Sequence, residues 1–235
     1  MKTPKKIDRL PLLDALRGFA MVWMTIFHFS FDLNHFGWIQ QDFYSNPVWT
    51  WQRSCIVSLF LFCVGWSQAL TEHFAWKRWL QITLCAALVT ASSYAMYPHS
   101  FIYFGVLHGI ASMLLVLWVL KPLGQWLWLV GAACLLLFFY PPFIANGMPW
   151  NVLGLISQKP ITEDYVPILP WLAVVSFGYA FGIQVKMMKK KGLSMTLNPL
   201  FRPFTVLGRY SLRYYMLHQP ILIGTLWLIT PLIRP

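Results

Sequence analysis

The sequence predicts an all-α fold: a polytopic membrane helix bundle of about seven transmembrane helices, N-terminus cytoplasmic and C-terminus outside. Three observations predict it. The 235 residues are 58% hydrophobic and only 11% charged, with mean hydropathy +0.57, against about 45–50% apolar and about 25% charged in soluble domains. The apolar residues gather into runs of about 20, the length that crosses a hydrocarbon core. Lys and Arg fall almost entirely on one side of alternate runs. One membrane domain, 1–235, is expected, with no room for a soluble one.

The first run, Leu10–Phe31, is longer than the about 7–15 apolar residues of a signal peptide's core and carries Asp14 and Arg17, so a retained helix is expected. The second, Trp49–Leu70, carries Gln52 and Arg53, expected near its outer mouth. Trp79–Tyr97 follows the basic pair Lys77 and Arg78. In Phe101–Leu120, His108 is expected about 10 Å below the outer end. Leu123–Ile144 carries no charged residue. Ile168–Met187 leads into KMMKKK, read as orientation signal and anionic-lipid contact. The last, Leu207–Ile233, carries Arg213, His218 and Gln219 before Pro220. Cys55, Cys63, Cys85 and Cys134 all lie inside spans with no metal-ligand spacing, so neither disulfide nor metal site is expected.

With the N-terminus cytoplasmic, that side receives Lys2, Lys5, Lys6, Arg9, Lys77, Arg78, Lys121, Lys186, Lys189, Lys190, Lys191, Arg202 and Arg209. The outside receives Arg53, Lys159 and Arg234. The net charge of +11 is thus orientation signal and lipid contact, not a nucleic-acid footprint.

The costly residues are the polar ones inside the spans. Arg17 and His28 differ by eleven positions, a residual of about 20° around a helix, and His35 returns to nearly the same angle as Arg17. With Asp14 and Asp32 they form one polar stripe along the first helix, which must face the bundle interior or water. Arg53, His108, Arg213, His218 and Gln219 are expected to meet it. Plainer roles stand beside each. Asp14 and Arg17 suit an i,i+3 ion pair, His35 interfacial water, His108 a neighbouring carbonyl, and His218 and Gln219 backbone groups freed by Pro220. Gly-rich phosphate loops, the G-x-S-x-G elbow, HExxH and CxxC are all missing.

R-L-x-x-L-D-A-L-R-G-F-A followed by H-F-x-F-D-L-N-H-F-G, then FIYFGVLHGIA, DYVPILPWLAVVSFGYAFG and GRYSLRYYMLHQPIL, resemble bacterial membrane proteins grouped with heparan-α-glucosaminide N-acetyltransferase. The resemblance covers most of the chain, in order. It implies a transmembrane acetyltransferase of a bacterial inner membrane, moving acetyl from cytoplasmic acetyl-CoA to an amino or hydroxyl group of an extracytoplasmic glycan. His28, His108, His218, Asp14, Arg17 and Asp32 match the family's pattern. His28 or His35 corresponds to the family's active histidine.

On that reading His28 or His35 is the base, Asp32 orients His28, and His108 donates to the developing oxyanion. Asp14, Arg17, Arg209, Arg213, His218 and Gln219 form the acetyl-CoA path, with the arginines on its phosphates. Arg17 to His28 spans about 16 Å of helix, within reach of an extended pantetheine arm. Direct transfer and an acetyl-histidine intermediate both fit. In the outer segment 145–167, Trp150, Asn151, Glu163, Asp164 and Tyr165 suit a sugar or an interfacial loop. Two other classes use the same polar residues: a proton-coupled transporter or exporter, and a membrane cytochrome with two of His28, His108 and His218 on haem iron.

Overall fold

A computed structural model describes residues 10–191 and 197–233. Lys2, Lys5, Lys6, Arg9 and Arg234 of the charge bias lie outside the described residues. The described residues are helical apart from connecting segments and one isolated bridge between Phe104 and Tyr165. Six helical runs among them are long and apolar enough to cross a membrane. The chain divides into two compact units, one of residues 10–60 and 197–233, the other of residues 61–191.

The first unit is built on α1 (Pro11–His35), the opening half of α2 (Pro47–Ala69), the short α8 (Arg202–Arg209) and α9 (Ser211–Ile233). Pro11 suits the first position of α1, where its missing N–H costs nothing. Ala20, Met21, Met24 and Phe27 of α1 pack with Phe43 of the following loop and with Ile56 and Phe60 of α2. Asp42 accepts the backbone N–H groups of Tyr44 and Ser45, and Asn46 that of Val48 at the start of α2. These bonds hold the turn that brings Phe43 onto the core. On another side, α8 lies backbone to backbone against the first two turns of α1. A Cβ at Gly18 would overlap the Phe204 carbonyl, and one at Gly208 the Asp14 carbonyl. Small residues permit this approach where no hydrophobic force joins helices. The last expected span starts late: Leu207–Arg209 belongs to α8, and α9 begins at Ser211 beyond a turn at Tyr210.

The second unit packs the closing half of α2 on α7 (Ile168–Lys190) through reciprocal glycines: Gly65 against the Val175 carbonyl and Gly178 against that of Phe62. Here α3 (Trp76–Met96) packs on α4 (Val106–Leu120), and α4 and α5 (Leu127–Phe139) pack on α7. The fourth and fifth expected spans fall in one continuous run, Val106–Phe139, which makes six runs rather than seven. A 3-10 segment, Lys121–Trp126, joins the two limbs, and Gly124 breaks the helix within it at φ 56, ψ −119, in the left-handed region open to glycine. The two limbs run in opposite directions. Gly109 of α4 meets Val166 just before α7, whereas Gln125 reaches the Ala180 carbonyl and Gly131 meets Phe177 on the way back.

Between α5 and α7 lies α6 (Trp150–Leu153). The segment around it is braced by its own polar groups. Tyr165 donates to the Asn151 carbonyl, Asn151 Nδ2 to the Tyr103 hydroxyl, and Ser100 to Glu163. Asp164 accepts the Val106 N–H and so caps α4. Of the residues expected to suit a sugar, Asn151, Glu163, Asp164 and Tyr165 thus hold this segment together.

Candidate active site

In the first unit α1 and α9 run parallel, and polar residues meet along their seam at helical spacing. At the start of α1 the Asp14 carboxylate lies 3.6 Å from Arg17 and 3.8 Å from Arg209 of α8. About three turns beyond Asp14, Thr25 Oγ1 donates to the Met21 carbonyl at 2.8 Å and so accepts from Tyr214 OH at 2.7 Å. The His28 and His218 rings follow, centroids 5.2 Å apart and tilted by 59°. Above them Gln219 Nε2 donates to Asp32 Oδ1 at 2.8 Å. Trp38 Nε1 closes the seam on Thr230 Oγ1 at 3.0 Å. Residues 14, 17/18, 21, 25, 28 and 32 share a helix face because their spacing follows the 3.6-residue turn.

Hydrogen bonding sets the chemistry of His218. Its Nδ1 lies 2.6 Å from the Tyr215 carbonyl. A carbonyl only accepts, so Nδ1 carries the proton and the neutral ring presents the Nε2 lone pair. That Nε2 is buried and has no hydrogen-bond partner among the described residues; the same holds for Asp32 Oδ2 and Gln219 Oε1. Asp32 is 3% and His218 8% exposed, so each group sits where a missing partner is expensive. Because Gln219 Nε2 is committed to Asp32, its amide orientation is fixed and the free atom is an acceptor. With Asp32 ionised, all three orphans accept, and together they suit a ligand rich in N–H or O–H donors.

The expectations at this site fare differently. His28 meets His218 across the seam. Asp32 was expected to hold His28, but its carboxylate is held by Gln219 instead. His218 was expected on the donor path or at groups freed by Pro220. It does bond a carbonyl, yet that of Tyr215, while the group Pro220 leaves without its donor is that of Met216. α9 stays helical through Pro220. Arg17 and Arg209 converge on Asp14, and Arg213 lies over the Tyr210 ring at 5.9 Å. His35 ends α1, exposed, its ring edge-on to Phe36.

His108 belongs to the second unit. Its Nδ1 accepts the Gly105 N–H at 3.3 Å, so Nε2–H donates to Thr90 Oγ1 at 3.0 Å, and Thr90 donates onward to the Ile102 carbonyl. Both ring nitrogens are thereby engaged in holding the start of α4. Gln52, in the second turn of α2, accepts from Trp23 Nε1 at 3.3 Å and so reaches the middle of α1.

Sequence reasoning passed over Tyr214, whose ring is 6.1 Å from that of His218 and within 7° of parallel, and Thr25. The available signal was spacing: Tyr214 precedes His218 by four residues and Thr25 precedes His28 by three. A pair of histidines on opposite faces of one haem iron needs ring centroids about 6 Å apart, given metal–nitrogen bonds of about 2 Å. The His28–His218 pair is closer than that.

No curated protein and no solved structure matches the chain. One family model, Heparan-alpha-glucosaminide N-acetyltransferase, catalytic, matches residues 9–220. That match takes in α1 and the whole His28–His218–Asp32–Gln219 cluster. The chain is therefore a membrane protein of acetyltransferase type and belongs to the heparan-alpha-glucosaminide N-acetyltransferase catalytic family.

Proposed function

We propose that this protein transfers an acetyl group from cytoplasmic acetyl-CoA to an amino or hydroxyl group of an extracytoplasmic sugar or glycan, in a bacterial inner membrane. One observation carries the reading: two imidazoles side by side in a spanning seam, one with a buried, unpartnered Nε2 lone pair, beside an equally unpartnered carboxylate oxygen. An amine or alcohol attacks a thioester only as it loses a proton. A placed imidazole that accepts this proton contributes about 10²–10⁴-fold.

In this reading Asp32 and Gln219 accept hydrogen bonds from the acceptor and aim its nucleophilic atom. His218 Nε2 takes the proton, its tautomer held by the Tyr215 carbonyl. His28 forms the opposite wall and presents the second imidazole. Arg17 and Arg209 grip the CoA phosphates at the cytoplasmic end, with Arg213 near them. Asp14 holds the two guanidiniums together until the more highly charged phosphates engage them. From Arg17 to His28 the helix rises about 16 Å, the stretch assigned to the pantetheine arm. His108 secures the start of α4, and His35 is placed at the outer end, where acceptor enters.

Purified protein should be stabilised against heat by acetyl-CoA, less by CoA, and not by unrelated nucleotides. It should release CoA thiol only when an amino sugar or polyol is added. Thiol release without stabilisation of any kind, or neither signal, would count against the reading. Substrate flux into proteoliposomes that ignores acetyl-CoA would replace it with a transporter.

A further inference from the structure

Arg53 is a charged side chain inside a spanning helix, half-buried, and no hydrogen bond, ion pair or ring contact engages it among the described residues. A guanidinium in that setting is expensive and turns toward the bundle interior or a wet cavity. Its place on α2 agrees. Trp49, Arg53, Ile56 and Phe60 follow one another at i, i+4, i+7 and i+11, and Trp49, Ile56 and Phe60 all pack on the core that α1 supplies. Arg53 therefore lies on the stripe of α2 that faces α1.

Its height can be read from its neighbours. Trp49 lies 5.9 Å from Phe27, and Gln52 bonds Trp23, so the backbone of Arg53 is level with the middle of α1. Long helical side chains lean toward their own N-terminus, and the N-terminal direction of α2 leads from Trp23 toward Phe27. A rise of about one helical turn, about 5 Å, brings the guanidinium level with Phe27 and with His28, whose ring is 5.8 Å from that of Phe27.

The centre at His28 and His218 is poor in what Arg53 has. Its buried unpartnered atoms, Asp32 Oδ2, His218 Nε2 and Gln219 Oε1, are all acceptors, and the donor beside them is the single N–H of the neutral His28 ring. Attack on a thioester builds negative charge on the carbonyl oxygen, and stabilising it needs donors placed in advance. We propose that Arg53 is a further catalytic residue, its guanidinium N–H groups holding the oxyanion formed from the acetyl thioester.

The step balances. The acceptor's nitrogen or oxygen lone pair forms a bond to the carbonyl carbon, and the C=O π pair moves to oxygen, opposite Arg53. His218 Nε2 takes the acceptor's proton. As the C=O bond re-forms the C–S bond breaks, and CoA thiolate leaves and recovers that proton. The products are the acetylated acceptor and CoA-SH.

This inference rests on the acetyl-transfer reading, and the experiment separates the two. Thiol release and acetyl-CoA thermal shift are measured for wild type, Arg53→Met and Arg53→Lys. The expected result is a kcat lower by about 10²–10³-fold in Arg53→Met, with KM for acetyl-CoA and the thermal shift kept, and partial recovery in Arg53→Lys. A wild-type kcat in Arg53→Met overturns the proposal and leaves Arg53 reaching toward the interface. A raised KM and lost thermal shift with kcat kept also overturns it, assigning Arg53 to donor binding. If Arg53→Met fails to fold, Arg53→Lys decides: full wild-type kcat with the charge kept but the fork lost overturns the role. No thiol release by wild type defeats the acetyl-transfer reading itself.

Discussion

Single residues decide the chemistry through their hydrogen-bond partners. His218 is a base in this reading because the Tyr215 carbonyl holds its Nδ1 proton. Replacing His218 or His28 with Ala should abolish thiol release while acetyl-CoA still raises the melting temperature; unchanged turnover in either variant would remove that ring from the mechanism. Gln219 tests the carboxylate. Gln219→Ala leaves Asp32 with neither oxygen bonded, and an unsatisfied buried acceptor costs about 1–3 kcal/mol. The loss should shrink in the Asp32→Ala background, where no acceptor is left to satisfy, so a double-mutant cycle on thermal stability should return coupling of about 0.5–3 kcal/mol. Additive effects would mean the 2.8 Å contact carries no energy.

At the scale of elements, two close approaches fix where functional groups stand. α8 brings Arg209 to Asp14 only because Gly18 and Gly208 let backbone meet backbone. Gly208→Val should push α8 off α1, cost about 1–3 kcal/mol as overpacking does, and weaken the thermal shift with acetyl-CoA while leaving the Tyr103–Asn151–Tyr165 segment of the second unit intact. That segment has its own signature. Burial raises the Tyr103 phenol, and burial, with Tyr103 nearby, raises that of Tyr165 well above the usual range. A group whose folded pKa is raised supports the fold below its unfolded pKa, about 10, and loses that support as pH climbs through the folded value. Ultraviolet titration should therefore show these two phenols among those that ionise later than free tyrosine, and Tyr165→Phe should remove one late-ionising phenol. Two phenols titrating normally would mean that the Tyr165–Asn151–Tyr103 chain is open to water.

For the whole molecule, parallel α1 and α9 constrain the path between them. A chain leaving one end of α1 and entering α9 at the opposite end crosses the membrane an odd number of times in between. With α2, α3 and α7 each crossing once, the Val106–Phe139 run must cross an even number of times, and its reversal at Gly124 gives two. A protease site inserted at Gly124 should be cut only from the cytoplasmic side and one at Asn146 only from outside; cutting of both from one side would reject the hairpin and the assigned orientation. By itself the sequence determined the helical class, the approximate spans and the polar stripe of α1, because hydrophobic runs and 3.6-residue spacing are local properties. It also held the motifs of the family. Tertiary structure alone decided the partners: that Gln219 rather than His28 holds Asp32, that His218 meets His28, and that His108 spends both nitrogens on the start of α4. A side chain's periodicity tells which face it occupies, but the lone pair it leaves free depends on atoms contributed by helices far away in the chain.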